Sequence, residues 1–266
     1  MSQAIVIRHD IDDEKYHADQ SDFPPLATFY IDGAHGTLIA PTWIITAAHA
    51  TFCTEPDAYA MINNQPRKIK NRYIHPLYTP EKSHDIALIE LVAPVTDVAP
   101  AQLFKETTEL SMNTWFIGIG GTGNGLTGQV LDNAQNNGVL RKAQNSVSEA
   151  DGPLIKFTFE RGNNALPLEG VSGGGDSGGP AYVETDNGYQ LLGVSSRFEG
   201  SALGKYGITE IYSRISYFND WILQIINNNE QTQLNLYQAE LSVAQLPAGL
   251  SKETLPSICQ QIGVRP

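Results

Sequence analysis

The stretch Gly173-Gly174-Gly175-Asp176-Ser177-Gly178-Gly179-Pro180 decides how the rest of this 266-residue chain is read. A serine stands between an aspartate and a run of glycines, and proline closes the run. Glycine admits backbone angles that other residues avoid and lets N–H groups approach a ligand closely. A serine presented on such a turn is a candidate nucleophile with oxyanion donors already around it. A hydroxyl alone is a weak nucleophile, so the reading requires a histidine as base and an acid to orient it.

Two segments upstream supply them. Thr46-Ala47-Ala48-His49 places a histidine after the apolar run Trp43-Ile44-Ile45, flanked by small residues that leave room around the ring. Ser83-His84-Asp85-Ile86-Ala87-Leu88-Ile89 places an aspartate just before an apolar strand, where it is drawn toward the interior. Alone, each has a bland reading: a histidine at a strand end, and an aspartate in a turn. With the glycine-flanked serine they give the order His49, Asp85, Ser177, and the coincidence of three motifs outweighs the two bland readings. His84 reads as a surface residue rather than a second base.

The surrounding pattern is one of short apolar runs separated by glycine and proline, as in an all-β sandwich or barrel. Residues 94–112 read as a connector between two halves. One helix is predicted at 217–227, capped by Ser216, with Phe218, Trp221, Ile222, Ile225 and Ile226 on one face. Residues 10–22 read as a solvated acidic lead-in. The tail 229–266 reads as an extension of unknown role with a short helix near 252–262. Hydrophobic residues make up 41% and charged residues 17%, which suits a globular core. The net charge of −12 argues against a nucleic-acid partner. No apolar run is long enough for a membrane span, and the N-terminus turns polar too soon for a signal peptide. Cys53 and Cys259 are not a disulfide framework, and two separate thiols are the favoured reading. No metal cluster is visible and no cofactor is expected.

At this point the chain resembles the chymotrypsin-like (trypsin-fold) serine peptidases, through Thr46–His49, Asp85–Leu88, Gly175–Pro180, and Ile211-Tyr212-Ser213-Arg214-Ile215 ahead of Trp221. The resemblance spans residues 5–228. It implies two Greek-key six-stranded β-barrels, about 24–100 and 113–214, packed against each other, with a C-terminal α-helix. It implies a serine endopeptidase acting on protein or peptide substrates, with His49, Asp85 and Ser177 as triad and the N–H groups of Gly175 and Ser177 as oxyanion hole. Losing one such donor costs on the order of 10²–10³ in rate. A binding module on a silent protease fold, or an esterase-like hydrolase with the same triad, are the alternatives.

The chain departs from the family in three ways. The bridge that braces the histidine loop is missing, because alanine stands at Ala34 and Ala50, and Gly173 takes the place of another half-cystine. The family is usually secreted or periplasmic, but these losses and the missing leader leave the compartment open. Family members usually begin at Ile-Val-Gly-Gly after cleavage by an activating protease, whereas Ile5-Val6 is followed here by Ile7-Arg8. Cleavage at Ala4–Ile5 would let the Ile5 amine reach Asp176 as activation anchor; the rival is that another cation serves Asp176. Finally, Val171 stands where trypsin has its pocket aspartate, followed by Ser172, and Glu210 replaces a pocket-wall glycine. This implies a non-trypsin S1 pocket, with a mixed preference for basic and large apolar P1 residues. Ser196 and Arg197 match the substrate-lining strand, and either Ser195 or Ser196 supports Asp85.

Overall fold

The computed structural model describes residues 5–227 and 235–266. The alternation of inward apolar and outward polar residues builds strands with a period of two. Between Leu154 and Thr158, for example, Ile155 and Phe157 are buried while their neighbours are part-exposed. Six strands close a first barrel in the spatial order Leu26–Tyr30, Gly33–Ala40, Trp43–Thr46, Ala87–Leu91, Gln65–Ile74 and Tyr59–Ile62, with Ala27 opposite Ile62 at the seam. A second barrel runs Asn113–Gly118, Arg141–Asp151, Leu154–Thr158, Thr209–Arg214, Gly188–Glu199 and Pro180–Thr185. Its last strand pairs both with 188–199 and with 113–118, which closes it. Gln102–Leu103, inside the expected connector, adds a short parallel edge strand against Gln190 and Leu191. The all-β, two-barrel expectation therefore stands.

Each barrel has its own core. Phe29, Leu38, Ile44, Ile45, Ile62 and Leu88 fill the first. Phe116, Phe157 and Tyr212 meet in the second, with ring centroids 4.9–5.1 Å apart. The helix α1 (Ile215–Asn227) leaves the last strand of the second barrel and lays Phe218, Trp221, Ile222 and Ile225 onto the first barrel's core. It begins at Ile215, so Ser216 is not its cap. The Ser216 hydroxyl instead donates to Glu109, which also takes two bonds from Arg214.

Two other expectations are corrected. Residues 10–22 are not a solvated lead-in. Tyr16 is fully buried and its hydroxyl donates to the Glu169 carbonyl at 3.0 Å. Asp13 pairs with Arg141 and Asp22 with Lys142, at 2.7 and 2.6 Å. The acidic residues look solvated in sequence because their cations lie on a strand far along the chain. The two cysteines are not separate thiols. Cys53 and Cys259 form a disulfide across 206 residues, their Cα atoms 5.3 Å apart. The tail returns to the first barrel with a 3-10 turn at Val243–Gln245 and the helix α2 (Leu255–Ile262), close to where a helix was expected. The boundary at 228/229 lies outside the described residues. Among the described residues no helix is long and apolar enough to cross a membrane.

Candidate active site

His49, Asp85 and Ser177 come from three loops that the barrels bring to one cleft. His49 rides on the 3-10 turn Ala48–Thr51, directly after the strand Trp43–Thr46. Asp85 precedes the strand Ala87–Leu91, which pairs with that same strand, Thr46 opposite Ala87. Ser177 is held from the second barrel: the Gly178 N–H donates to the Ser195 carbonyl and the Ser195 N–H to the Gly179 carbonyl, both at 2.9 Å. It is also held from the first barrel. The Ala34 N–H donates to the Gly175 carbonyl and the His35 N–H to the Ser177 carbonyl, both at 2.7 Å. Gly178 has φ +76° and lies against Thr46 and the His35 carbonyl, so a side chain there would be strained and would push the barrels apart.

The resulting geometry is continuous. Ser177 Oγ lies 2.8 Å from His49 Nε2. His49 Nδ1 lies 2.7 Å from Asp85 Oδ2, and the His49 N–H donates to Asp85 Oδ1 at 2.9 Å. Ser196 Oγ donates to Asp85 Oδ2 at 2.7 Å, which decides between Ser195 and Ser196. The Ser196 hydroxyl thus faces the acid. Ser213 Oγ binds the Asp85 carbonyl. Asp85 is 6% exposed, while His49 and Ser177 are half-buried, as a solvent-reachable nucleophile requires. Burial presses the His49 imidazole downward, but the charge and hydrogen bond of Asp85 outweigh it and raise its pKa above 6.5. Burial pushes the Asp85 carboxyl up, and His49, with help from Ser196, more than offsets this and lowers it. His84 is half-buried rather than superficial; its ring lies tilted against His75 and edge-on to Phe218, and Ser83 Oγ lies 2.8 Å from its Nδ1.

Gly175 has φ +96° beside Asn133, a conformation that favours glycine. Among the described residues no acceptor takes the N–H of Gly175 or Ser177. Asp176, next between them, is 2% exposed and accepts the Gly120 and Gly173 N–H groups at 2.7 and 2.8 Å. His35 Nε2 is 3.6 Å from Asp176 but accepts the Ile119 N–H at 3.1 Å, so the ring proton sits on Nδ1, facing Thr28. Ile5 is fully buried and opens the strand Ile5–Ile7, wedged between Thr122–Asn124 and Gly170–Val171.

Val171 is fully buried and pairs with Val6. Ser172 Oγ meets the Tyr212 hydroxyl at 2.5 Å. Glu210 is 2% exposed, does not face solvent and does not pair with Arg214, whose partner is Glu109. Glu210 Oε1 has no hydrogen-bond partner among the described residues. Burial, with the nearby Asp176 charge, pushes its carboxyl well above the ordinary 4.5. Phe198, missed in the sequence, stands opposite Glu210 on the adjacent strand; the bulge between Ser195 and Arg197 that sets this register leaves no local sequence signal.

The family model described as Trypsin matches residues 14–222. A protein named Trypsin from Saccharopolyspora erythraea is 31% identical over 212 residues, covering 72% of this chain and 86% of that protein. A second, also named Trypsin, from Phaedon cochleariae, is 29% identical over 227 residues, covering 75% and 78%. Barrels, cleft and match agree: the chain belongs to the trypsin family of serine peptidases and is a serine-type endopeptidase.

Proposed function

We propose that the chain hydrolyses peptide bonds through an acyl-enzyme, with His49, Asp85 and Ser177 as the triad. The unbroken path from Ser177 Oγ through His49 to Asp85, at 2.8 and 2.7 Å, carries the reading. Ser177 Oγ attacks the scissile carbonyl carbon as His49 Nε2 takes its proton. The oxyanion is received by the N–H groups of Gly175 and Ser177. Collapse breaks the C–N bond, and His49 returns the proton to the leaving amine. Water then attacks the Ser177 ester, again giving its proton to His49, and Ser177 regains it as the acid leaves. Asp85 keeps the ring in the tautomer that presents Nε2 to Ser177. An organophosphonate should label Ser177, and Ser177→Ala should abolish labelling and peptide cleavage. An unlabelled Ser177 in folded protein would favour a binding role, and turnover of esters without peptides an esterase.

The S1 pocket is built on Val171, Ser172 and Glu210 rather than a floor aspartate. Glu210 stays protonated beside an apolar P1 side chain and releases its proton to meet Lys or Arg. A P1 library decides this: absence of cleavage after Lys and Arg, with a profile unchanged in Glu210→Ala, rules it out.

Asp176 is buried with no Lys or Arg at salt-bridge distance among the described residues, only the His35 imidazole at 3.6 Å, and this supports activation by a protease that cuts Ala4–Ile5 and frees an amine at Ile5. Ala4 itself lies outside the described residues. N-terminal sequencing tests it, and an intact Met1 on fully active protein sinks it. The Cys53–Cys259 bond supports an oxidising compartment.

A further inference from the structure

The family's bridge beside the histidine is replaced in this chain by alanines at Ala34 and Ala50, yet the segment that carries His49 is braced at Ala50, Thr51 and Cys53. The Tyr30 hydroxyl donates to the Ala50 carbonyl at 2.5 Å and accepts the Cys53 N–H at 3.1 Å. Arg72 Nη1 donates to the Thr51 carbonyl at 2.5 Å. Cys53 is bonded to Cys259. Tyr30 and Arg72 are 3% and 6% exposed, so neither brace is a surface contact.

Each brace continues into the C-terminal tail. Arg72 Nε donates to the Ala239 carbonyl at 2.8 Å, so one guanidinium bridges the histidine turn and the tail. Tyr30 pairs with Gly263, and its neighbours extend the ladder: Ile31 N–H to the Ile262 carbonyl and the Val264 N–H to the Phe29 carbonyl. The disulfide is itself a bond to the tail. The tail is in turn fixed to the domain elsewhere. Trp221 Nε1 donates to the Leu236 carbonyl at 2.7 Å, and Ile74 and Gln238 exchange two backbone bonds at 2.9 Å.

We propose that residues 236–264 form a strap that positions His49, with Tyr30, Arg72 and the Cys53–Cys259 bond as its three points of grip. Tyr30 and Arg72 are positioning residues: they hold the turn through its carbonyl groups and touch neither substrate nor Ser177. The strap does the work of the absent bridge. Because one grip is a disulfide, turnover also becomes sensitive to reductants. Dithiothreitol would give two electrons and two protons to the S–S bond, leaving two thiols and its own cyclic disulfide. The proposal rests on His49 being the base.

The experiment compares full-length wild type, Tyr30→Phe, Cys53→Ser/Cys259→Ser, and wild type reduced with dithiothreitol. Readouts are kcat and KM taken separately, thermal midpoint, and the low-field NMR resonance of the His49 Nδ1–H, which reports the His49–Asp85 bond without substrate. Val147→Ala, in the second barrel's core, controls for general loss of stability. Removing a grip should lower kcat about tenfold, short of the roughly 10²-fold that a full 1 Å misplacement costs, with KM little changed. The low-field resonance should shift or broaden. Reduced wild type should match the double serine variant, and reductant should leave that variant unaffected. Val147→Ala should lose thermal midpoint and keep kcat and resonance. If wild type is active but the grip variants keep kcat and resonance, the strap is a fold element without a hold on His49. If wild type itself neither turns over nor labels at Ser177, the triad reading fails, and the resonance alone decides the strap.

Discussion

Exchanging Glu210 for glutamine separates a buried, protonated carboxyl from an ordinary one. Glu210 is 2% exposed, its Oε1 has no partner among the described residues, and Asp176 lies close enough to oppose its ionisation. Its folded-state pKa is therefore well above the 4.5 of an exposed glutamate. In the window between those values the folded protein binds a proton that the unfolded chain has released. Stability must then fall as pH rises, because the slope follows protons bound unfolded minus protons bound folded. Below 4.5 both states are protonated and the term vanishes. Each pH unit through the window costs wild type about 1 kcal/mol, or roughly 2–4 °C of Tm in a domain this size. Glutamine has nearly the same shape and no proton to lose. The assay is the thermal midpoint of both proteins from about pH 4 to about pH 8. The two should lie closest at the acid end, and the glutamine variant should gain on wild type as pH rises from 4.5 toward the raised folded-state value. Curves that stay parallel would refute the buried, protonated state and, with it, the pocket chemistry built on Glu210.

Other expectations follow from the same contacts. With neutral His49 as the proposed base and Asp85 raising its pKa, kcat/KM should fall on acidification with a midpoint above 6.5. Asp85→Asn should lower kcat on the order of 10⁴-fold, measured by steady-state kinetics, through loss of the correct tautomer. Arg214→Met strands the fully buried Glu109 carboxylate and should cost about 3–5 kcal/mol in urea unfolding. Cys53→Ser/Cys259→Ser opens a closed loop spanning 206 residues. The chain-entropy relation puts that loss at about 5 kcal/mol, to be read from the same unfolding assay.

The candidate site was legible because each of its proposed groups is set in a short run whose neighbours serve it: small residues around His49, a strand after Asp85, glycines around Ser177. Barrel strands were legible for a similar reason, since alternation is local. What stayed hidden depends on distant partners. Asp13 and Asp22 read as solvated because Arg141 and Lys142 are over a hundred residues away. Cys53 read as a thiol because no local pattern announces Cys259. Ser216 read as a helix cap because Glu109, its actual acceptor, belongs to the connector between barrels. The choice between Ser195 and Ser196 turned on a register shift between Ser195 and Arg197, which apolar periodicity does not mark.

The three proposed reacting groups are held by a reciprocal scheme. Ser177 belongs to the second barrel, and its loop carbonyls are fixed by Ala34 and His35 of the first. Asp85 belongs to the first, and Ser196 and Ser213 of the second fix it. Each is thus located by the barrel it must work against, so a shift between barrels would be felt as broken hydrogen bonds before it was felt as lost activity. His49 differs. Asp85, from its own barrel, takes its backbone N–H and ring, while Ala50, Thr51 and Cys53 behind it are gripped by Tyr30, Arg72 and Cys259. A base in the proposed mechanism passes its proton between Ser177 and the leaving amine, which asks for a rigid turn with the ring edge open to the cleft. A brace behind the turn meets both demands, whereas one in the cleft would take the substrate's place. The tail can reach that rear face because Trp221 on α1 guides it there through the Leu236 carbonyl.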